Sequence, residues 1–289
     1  MKVISMFIIV LGMTVSAFAQ DEDVLRPRGS NSSNARRGSS SSGSTSSTPI
    51  IFGIEAGMNY NMFSQTMSGL LPDSRFAMLA SGNGISPLVG AFVDIEVARN
   101  LGVQIKLAYD QKKFGNSGNA IIDCETAGTG AIVDATITGE YTNTVTYLDL
   151  TPQLRWNITP ELVFLIGPTV HFQLGNGTGT FSETITSAGE CYFNFGQSNQ
   201  SKTSAITIDS IGTIAPRFGT QIDLGYKFNL SSMIYLVPKV GYQFMFTKLA
   251  EDEASSDNSR FPSLGLVPIT ATNKTLHSLQ FTLGLWFQL

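Results

Sequence analysis

Charge is scarce in this chain. Lys, Arg, Asp and Glu together make up 14% of its 289 residues, where an ordinary soluble domain carries about 25%. The balance is slightly acidic, 22 Asp+Glu against 18 Lys+Arg. That excludes the basic stripe of a nucleic-acid binder. Cysteine and histidine are scarcer still, two of each. They cannot by themselves fill a four-ligand Cys/His zinc site, and they rule out a disulfide-dense scaffold. No metal and no cofactor is expected. Beyond the N-terminus no apolar run reaches the ~18 residues of a membrane helix. What is abundant is glycine, 28 residues, and phenylalanine, 19. Two classes survive these exclusions: a large secreted β-protein and an outer-membrane β-barrel.

The N-terminus sets the compartment. Lys2 supplies a positive start, Val3 to Val15 an apolar stretch, and Ala17-Phe18-Ala19 a small-residue cleavage site. Residues 1–19 therefore read as a secretory signal peptide, with cleavage expected after Ala19. Residues 20–49 are low in complexity: between Gly29 and Thr48, ten of twenty residues are Ser and none is a large apolar residue. Such a stretch buries too little surface to offset its ordering entropy and reads as a disordered periplasmic linker. Arg26, Arg28, Arg36 and Arg37 make it locally basic, which suits either plain spacing or weak contact with lipid phosphate.

From residue 50 the dominant signal is period two. In 276–289, Leu279, Phe281, Leu283, Leu285, Phe287 and Leu289 share one face, opposite Ser278, Gln280, Thr282, Gly284, Trp286 and Gln288. That is a strand with one apolar and one polar or small face. The same alternation recurs in 52–60, 89–97, 101–110, 147–156, 162–173, 214–228 and 234–246. Eight such segments have the length a tilted strand needs to cross a bilayer. Their connections alternate between short turns, at 99–100, 157–160 and 229–232, and long loops, at 61–86, 111–143, 175–211 and 247–275. This sorting predicts an all-β, eight-stranded, antiparallel up-and-down transmembrane barrel, with short periplasmic turns and four long exterior loops.

The two faces give the orientation. One is almost free of charge and carries aromatics at two levels: Trp156, Phe228 and Phe287 at the short-turn ends, Tyr109, Phe172 and Phe246 at the long-loop ends. Two aromatic girdles are expected of lipid-facing strands. The other face mixes glycines with Glu55, Asp94, Glu96, Asp149 and Asp223 against Lys106, Arg155, Arg217, Lys227 and Lys239. Five acids against five bases in a narrow barrel predict charge pairs that plug the lumen. Pro152, Pro168, Pro216 and Pro238 oppose the assignment, because proline removes a ladder donor. Local bulges or bends are expected there, with the freed carbonyls turned toward lumen groups.

With the signal peptide, the segment Thr146-Tyr147-Leu148-Asp149-Leu150-Thr151-Pro152-Gln153-Leu154 and the C-terminal strand ending Leu285-Trp286-Phe287-Gln288-Leu289, the chain resembles the small outer-membrane β-barrel proteins of the OmpA/OmpX and PorT-like kind. The resemblance covers residues 50–289. It implies a place in the outer membrane of a Gram-negative-type bacterium, contact with its lipid, and a C-terminal strand read by the barrel-assembly machinery. It is weak for function, because such barrels serve as anchors, adhesins, small channels and secretion factors.

Chemical signals are thin. Gly175-Asn176-Gly177-Thr178-Gly179 precedes no helix, so it is not a phosphate loop. His171 reads as a hydrogen-bonded lumen residue. His277 and Ser278 are adjacent on a strand and so point to opposite faces, which opposes a nucleophile–base pair. No Gly-x-Ser-x-Gly elbow occurs. No catalytic residue is assigned. The favoured reading is a non-enzymatic structural or interaction barrel that meets an exterior ligand or protein partner through its loops. A small-solute channel and a secreted soluble β-sandwich adhesin are the alternatives. An even strand number puts both termini in the periplasm. Cys124 and Cys191, placed in neighbouring long loops of an exported protein, are expected to form a disulfide closing 66 residues.

Overall fold

The computed structural model describes residues 49–69, 79–125, 131–186, 201–207, 216–255 and 269–289. Its strands are β1 (Ile50–Gly69), β2 (Ser81–Ala98), β3 (Leu101–Glu125), β4 (Ile132–Asn157), β5 (Leu162–Gln173), β6 (Thr178–Ile185), β7 (Ser201–Thr207), β8 (Arg217–Tyr226), β9 (Phe228–Asn229), β10 (Ile234–Met245), β11 (Glu253–Ser255) and β12 (Ile269–Gln288). Eight of them close a ring in which every neighbour is antiparallel: β1-β2-β3-β4-β5-β8-β10-β12 and back to β1. The register Ile51↔Gln288 through Ser64↔Thr275 joins the first strand to the last. Closure leaves the ring no free edge, as a bilayer demands.

Alternation turns the apolar face outward. Ile54, Val89, Ile105, Leu107, Leu154, Leu224, Val240 and Leu283 are all exposed on it, while Glu55, Asp94, Gln104, Lys106, Asp149, Arg155 and Gln243 are buried within. Burying charge inside and exposing aliphatics outside inverts the arrangement of a soluble sandwich, and that alternative falls here. Both expected girdles lie on the outer face. Trp156, Phe228, Tyr109, Phe172 and Phe246 are exposed, and Phe287 is half-covered by stacking on Phe52, centroids 5.1 Å apart.

Two expectations need correction. The first concerns the long connections, which are not mainly loops. The hairpin β3–β4 is paired without a register shift from Leu101↔Trp156 to Glu125↔Ile132, so most of 111–143 is strand. Within 175–211, β6 and β7 pair with each other, and β6 adds to the outer part of β4 through Thr144↔Thr178 to Ile137↔Ile185. The ring thus grows on its long-loop side into a sheet ordered β3-β4-β6-β7. A strand of 25 residues far exceeds the ~10 needed to span a bilayer. The outward row of β4 marks where the membrane ends. Trp156, Leu154, Leu150 and Leu148 give way to Thr146, Thr144 and Thr142.

The second correction concerns the prolines. The β4–β5 ladder runs Tyr147↔Gln173 to Leu150↔Val170, lapses, and resumes at Leu154↔Ile166 in the same register. There is no bulge. The register places Pro152 directly opposite Pro168, so two residues without donors share one interruption. The lapse is spanned on the lumen side by the Thr151 and Thr169 hydroxyls, 2.9 Å apart. On the outer side Thr220 Oγ1 donates to the Gly167 carbonyl at 3.0 Å. A β-carbon on Gly167 would press into the Pro152 carbonyl oxygen, which explains glycine there. Pro238 pairs in register with Leu283, and Pro216 precedes β8. The register shifts that do occur are elsewhere, between Ser64 and Thr66 and between Glu96 and Ala98. At the first, Asn273 takes the left-handed conformation, φ 53°, which Asn tolerates. Its N–H donates to Asp252 Oδ1 at 3.0 Å.

Candidate functional site

The inward rows build the interior in tiers. At the short-turn end Ile51, Phe92, Val163, Leu165, Val237 and Trp286 form an apolar cluster, with Phe92 and Trp286 edge to face at 5.1 Å. Near it, Arg155 binds Asp94 through two parallel bonds, Nε to Oδ2 at 2.8 Å and Nη2 to Oδ1 at 2.9 Å. Both side chains are fully buried. Gly102 makes room for the pair, since a β-carbon there would stand 2.5 Å from Arg155 Nη2 and 2.7 Å from Asp94 Oδ1.

The middle tier centres on Glu55. Its carboxylate faces Lys106 Nζ at 3.3 Å and bonds Lys239 Nζ. Asp223 is held by amides, accepting from Gln153 Nε2 at 2.6 Å and Gln221 Nε2 at 2.9 Å. In the third tier Asp149 Oδ1 lies 3.3 Å from His171 Nδ1 and Asp149 accepts from Gln243 Nε2 at 3.3 Å. Arg217 donates to the Leu276 carbonyl at 3.3 Å and lies over the Tyr147 ring at 5.7 Å. Above these, Phe63, Leu79, Phe114, Tyr141, Phe181, Leu249 and Leu276 make a second apolar cluster, with Phe63 stacked on Phe114 at 4.6 Å. Polar tiers therefore lie between two apolar ones.

Of the ten charges expected inside, Glu55, Lys106 and Lys239 come together, as do Asp94 and Arg155. Asp149, Asp223 and Arg217 are buried with other partners, so pairing is less complete than the five-to-five count implies. Glu96 is half-buried, and Lys227 Nζ donates to Asn157 Oδ1 at 3.0 Å. Sequence reading missed Lys112, which lies 2.7 Å from Asp110 Oδ2 and 2.7 Å from Gln243 Oε1, while Asn59 Nδ2 donates to Asp110 Oδ1 at 2.6 Å. Ending the third segment at 110 hid it. The same period two carried on through Lys112 and Phe114 would have found it.

Other sequence signals are placed as follows. Ser278 points inward and donates to Asn61 Oδ1 at 2.8 Å. His277 points outward, stacked on Phe244 at 4.7 Å, with its Nδ1 accepting the Met245 N–H at 3.1 Å. The two cannot act together. Cys124 sits on β3 opposite Val133 rather than in a loop; its side chain and Cys191 lie outside the described residues, as do the leader and linker.

The sequence model of the outer membrane protein β-barrel domain matches residues 18–251. The chain belongs to that family. The match ends before β12, the strand that closes the ring. It places the protein in the cell outer membrane, with the exposed aliphatic belt against lipid. Solved structures with similar folds include Ail, the attachment invasion locus protein of Yersinia pestis, at 12% identity and TM-score 0.28, covering 82% of this chain and 98% of that one. Neisserial surface protein A is 10% identical with TM-score 0.30, covering 82% and 96%. A major outer membrane protein from Thermus thermophilus is 11% identical with TM-score 0.31, covering 81% and 99%. No curated protein sequence matches.

Proposed function

We propose that this protein is a non-enzymatic outer-membrane display barrel, whose ring anchors and stiffens an exterior β-sheet that meets ligands or proteins outside the cell. The observation that carries this reading is the unbroken continuation of β3 and β4 from the ring into the β3-β4-β6-β7 sheet. Charge pairs and two apolar tiers plug the lumen under it. The termini are periplasmic, residues 1–19 are a removed leader, and residues 20–49 are a spacer. The assembly machinery reads β12.

A narrow solute path is the second reading. It is favoured by the buried side-chain amide of Gln104 and the buried Nε2 of His171, which have no hydrogen-bond partner among the described residues, since such groups bind water readily. Planar-bilayer recordings of the purified chain decide between the two. Silence is expected; steady single-channel steps overturn the plug. Pull-down from intact cells, with the full chain and with 117–140 replaced by a tight turn, tests display. Identical captures by both would refute it.

A further inference from the structure

The outward face of the exterior sheet has an unusual composition. The cross-strand pairs Thr144↔Thr178, Thr142↔Thr180 and Thr138↔Thr184 lie in register on it, with Glu140↔Ser182 between the second and third. Thr146 and Thr136 extend the β4 row, and Thr186 extends β6 beside Thr136. Ten of eleven consecutive outward positions on these two strands carry a hydroxyl, and Glu140 is the one charge among them. Threonine suits a strand, but β-propensity would be met equally by Val, Ile or Tyr. None of those appears in these rows, although Val145, Ile137, Tyr141 and Phe181 fill the inward rows of the same strands. The pleat spaces the hydroxyls about 4.8 Å across strands and about 6.6 Å along them. On the β3 side, Asn119 continues the polar surface and accepts from Thr138 Oγ1 at 2.8 Å.

This face is continuous with the lipid-facing belt. The same outward row of β4 is Trp156, Leu154, Leu150 and Leu148 in the ring and Thr146, Thr144 and Thr142 beyond it. Whatever surrounds the barrel at headgroup height therefore lies against the threonines. Saccharide headgroups on outer-leaflet lipid present closely spaced neutral hydroxyls at that height. A nearly uncharged hydroxyl lattice can exchange hydrogen bonds with them as donor or acceptor along most of its length. Phosphate recognition would need cations; the β4 and β6 rows hold none, and Lys113 lies at the β3 border of the face, beside Thr144.

We propose that the outward face of β4 and β6 is a docking surface for the sugar headgroups of outer-leaflet glycolipid, packing the exterior sheet upright against the membrane's own saccharide layer. The proposal deepens the display reading, because a sheet seated in this way holds its tip toward the medium.

The test is affinity of the purified full chain, in mixed micelles, for three probes. These are a glycolipid with its full core oligosaccharide, the same lipid stripped of core sugars, and the free oligosaccharide. The wild-type chain is expected to prefer the sugar-bearing lipid over the stripped lipid by about tenfold. A variant with Thr138, Thr142, Thr180 and Thr184 all changed to Val keeps shape and β-propensity and is expected to lose that preference. Unchanged heat-modifiable migration of the variant shows that the barrel is intact. Equal affinity for the two lipids, or a preference that survives in the variant, overturns the proposal. So does free oligosaccharide binding as tightly as the lipid-linked form, which would move the ligand from the leaflet to the medium. Pull-down of exterior partners is a separate readout, so failure of one leaves the other standing.

Discussion

Removing Arg155 gives a direct test of whether the lumen is dry. In Arg155→Ala, Asp94 loses both of its guanidinium bonds, at 2.8 and 2.9 Å, in a place where neither partner reaches solvent. An uncompensated buried charge of this kind costs about 3–5 kcal/mol. For a domain of this size that corresponds to a melting shift of roughly 6–20 °C. The measurement is urea unfolding from lipid vesicles, with heat-modifiable migration as a second probe. The pair's coupling follows from a double-mutant cycle with Asp94→Asn, which removes the stranded charge; the double variant should recover part of the loss. Gly102→Ala adds a third corner. Its β-carbon would displace the ion pair, so it should destabilise the wild type more than it destabilises Arg155→Ala. Arg217→Ala is the control. Its side chain serves a carbonyl and a tyrosine ring, so its removal should cost less than that of Arg155. If Arg155→Ala stays within about 1 kcal/mol of wild type, Asp94 is hydrated, the lumen is wet, and the plugged reading fails.

Three further expectations can be checked independently. Cysteine introduced at Ser117, on the exterior extension of β3, should react with an impermeant reagent on whole cells, and one at Ser231, in the short turn before β10, should not; labelling at Ser231 with an intact membrane inverts the topology. Cys124 and Cys191 should appear as a bridge in a non-reducing mass spectrum, contributing on the order of 4 kcal/mol in the chain-entropy model, and two free thiols end that idea. Leu285→Asp places a charge on the outer face of β12 and should leave the protein unassembled in the periplasm; normal amounts of heat-modifiable barrel would count against the reading of that strand.

Much of this was legible because one alternation carries two kinds of information. Within the bilayer, period two separates an aliphatic row from a charged one, and the contrast is strong enough to place Leu154 outside and Arg155 inside from sequence alone. Beyond the bilayer the pattern persists but its contrast falls. In 136–146 the outward residues, Glu140 apart, become threonines, and a row of Thr facing a row of Ile and Tyr looks like the polar, glycine-rich surroundings of a loop. That is why 111–143 read as a connection although it is a hairpin. The prolines misled for a related reason. A single proline breaks a ladder, but Pro152 opposite Pro168 costs only one break, and cross-strand register is not written in either strand alone. Asp149 and Arg217 show the limit for pairing: alternation assigns a residue to the lumen, while the partner depends on tier and neighbour, which ring closure decides.

The filled interior and the exterior sheet are linked by the strands they share. The inward row of β4 runs from Arg155, locked to Asp94, through Gln153 and Asp149 to Tyr147, Val145 and Tyr141, all buried. Tyr141 belongs to the upper apolar cluster with Phe63, Phe114 and Phe181, and its hydroxyl donates to the Ser81 carbonyl at 2.8 Å. Phe181 comes from β6, a strand of the sheet and not of the ring. The upper apolar cluster is thus also the joint that fixes the sheet to the barrel. Opening the axis for conduction would remove the side chains that hold the sheet in place. β3 has 25 residues, so roughly fifteen of them, about 50 Å of strand at 3.3 Å per residue, continue beyond the ~10 that span a bilayer. In the proposed display reading, a filled axis and a raised sheet are one packing solution.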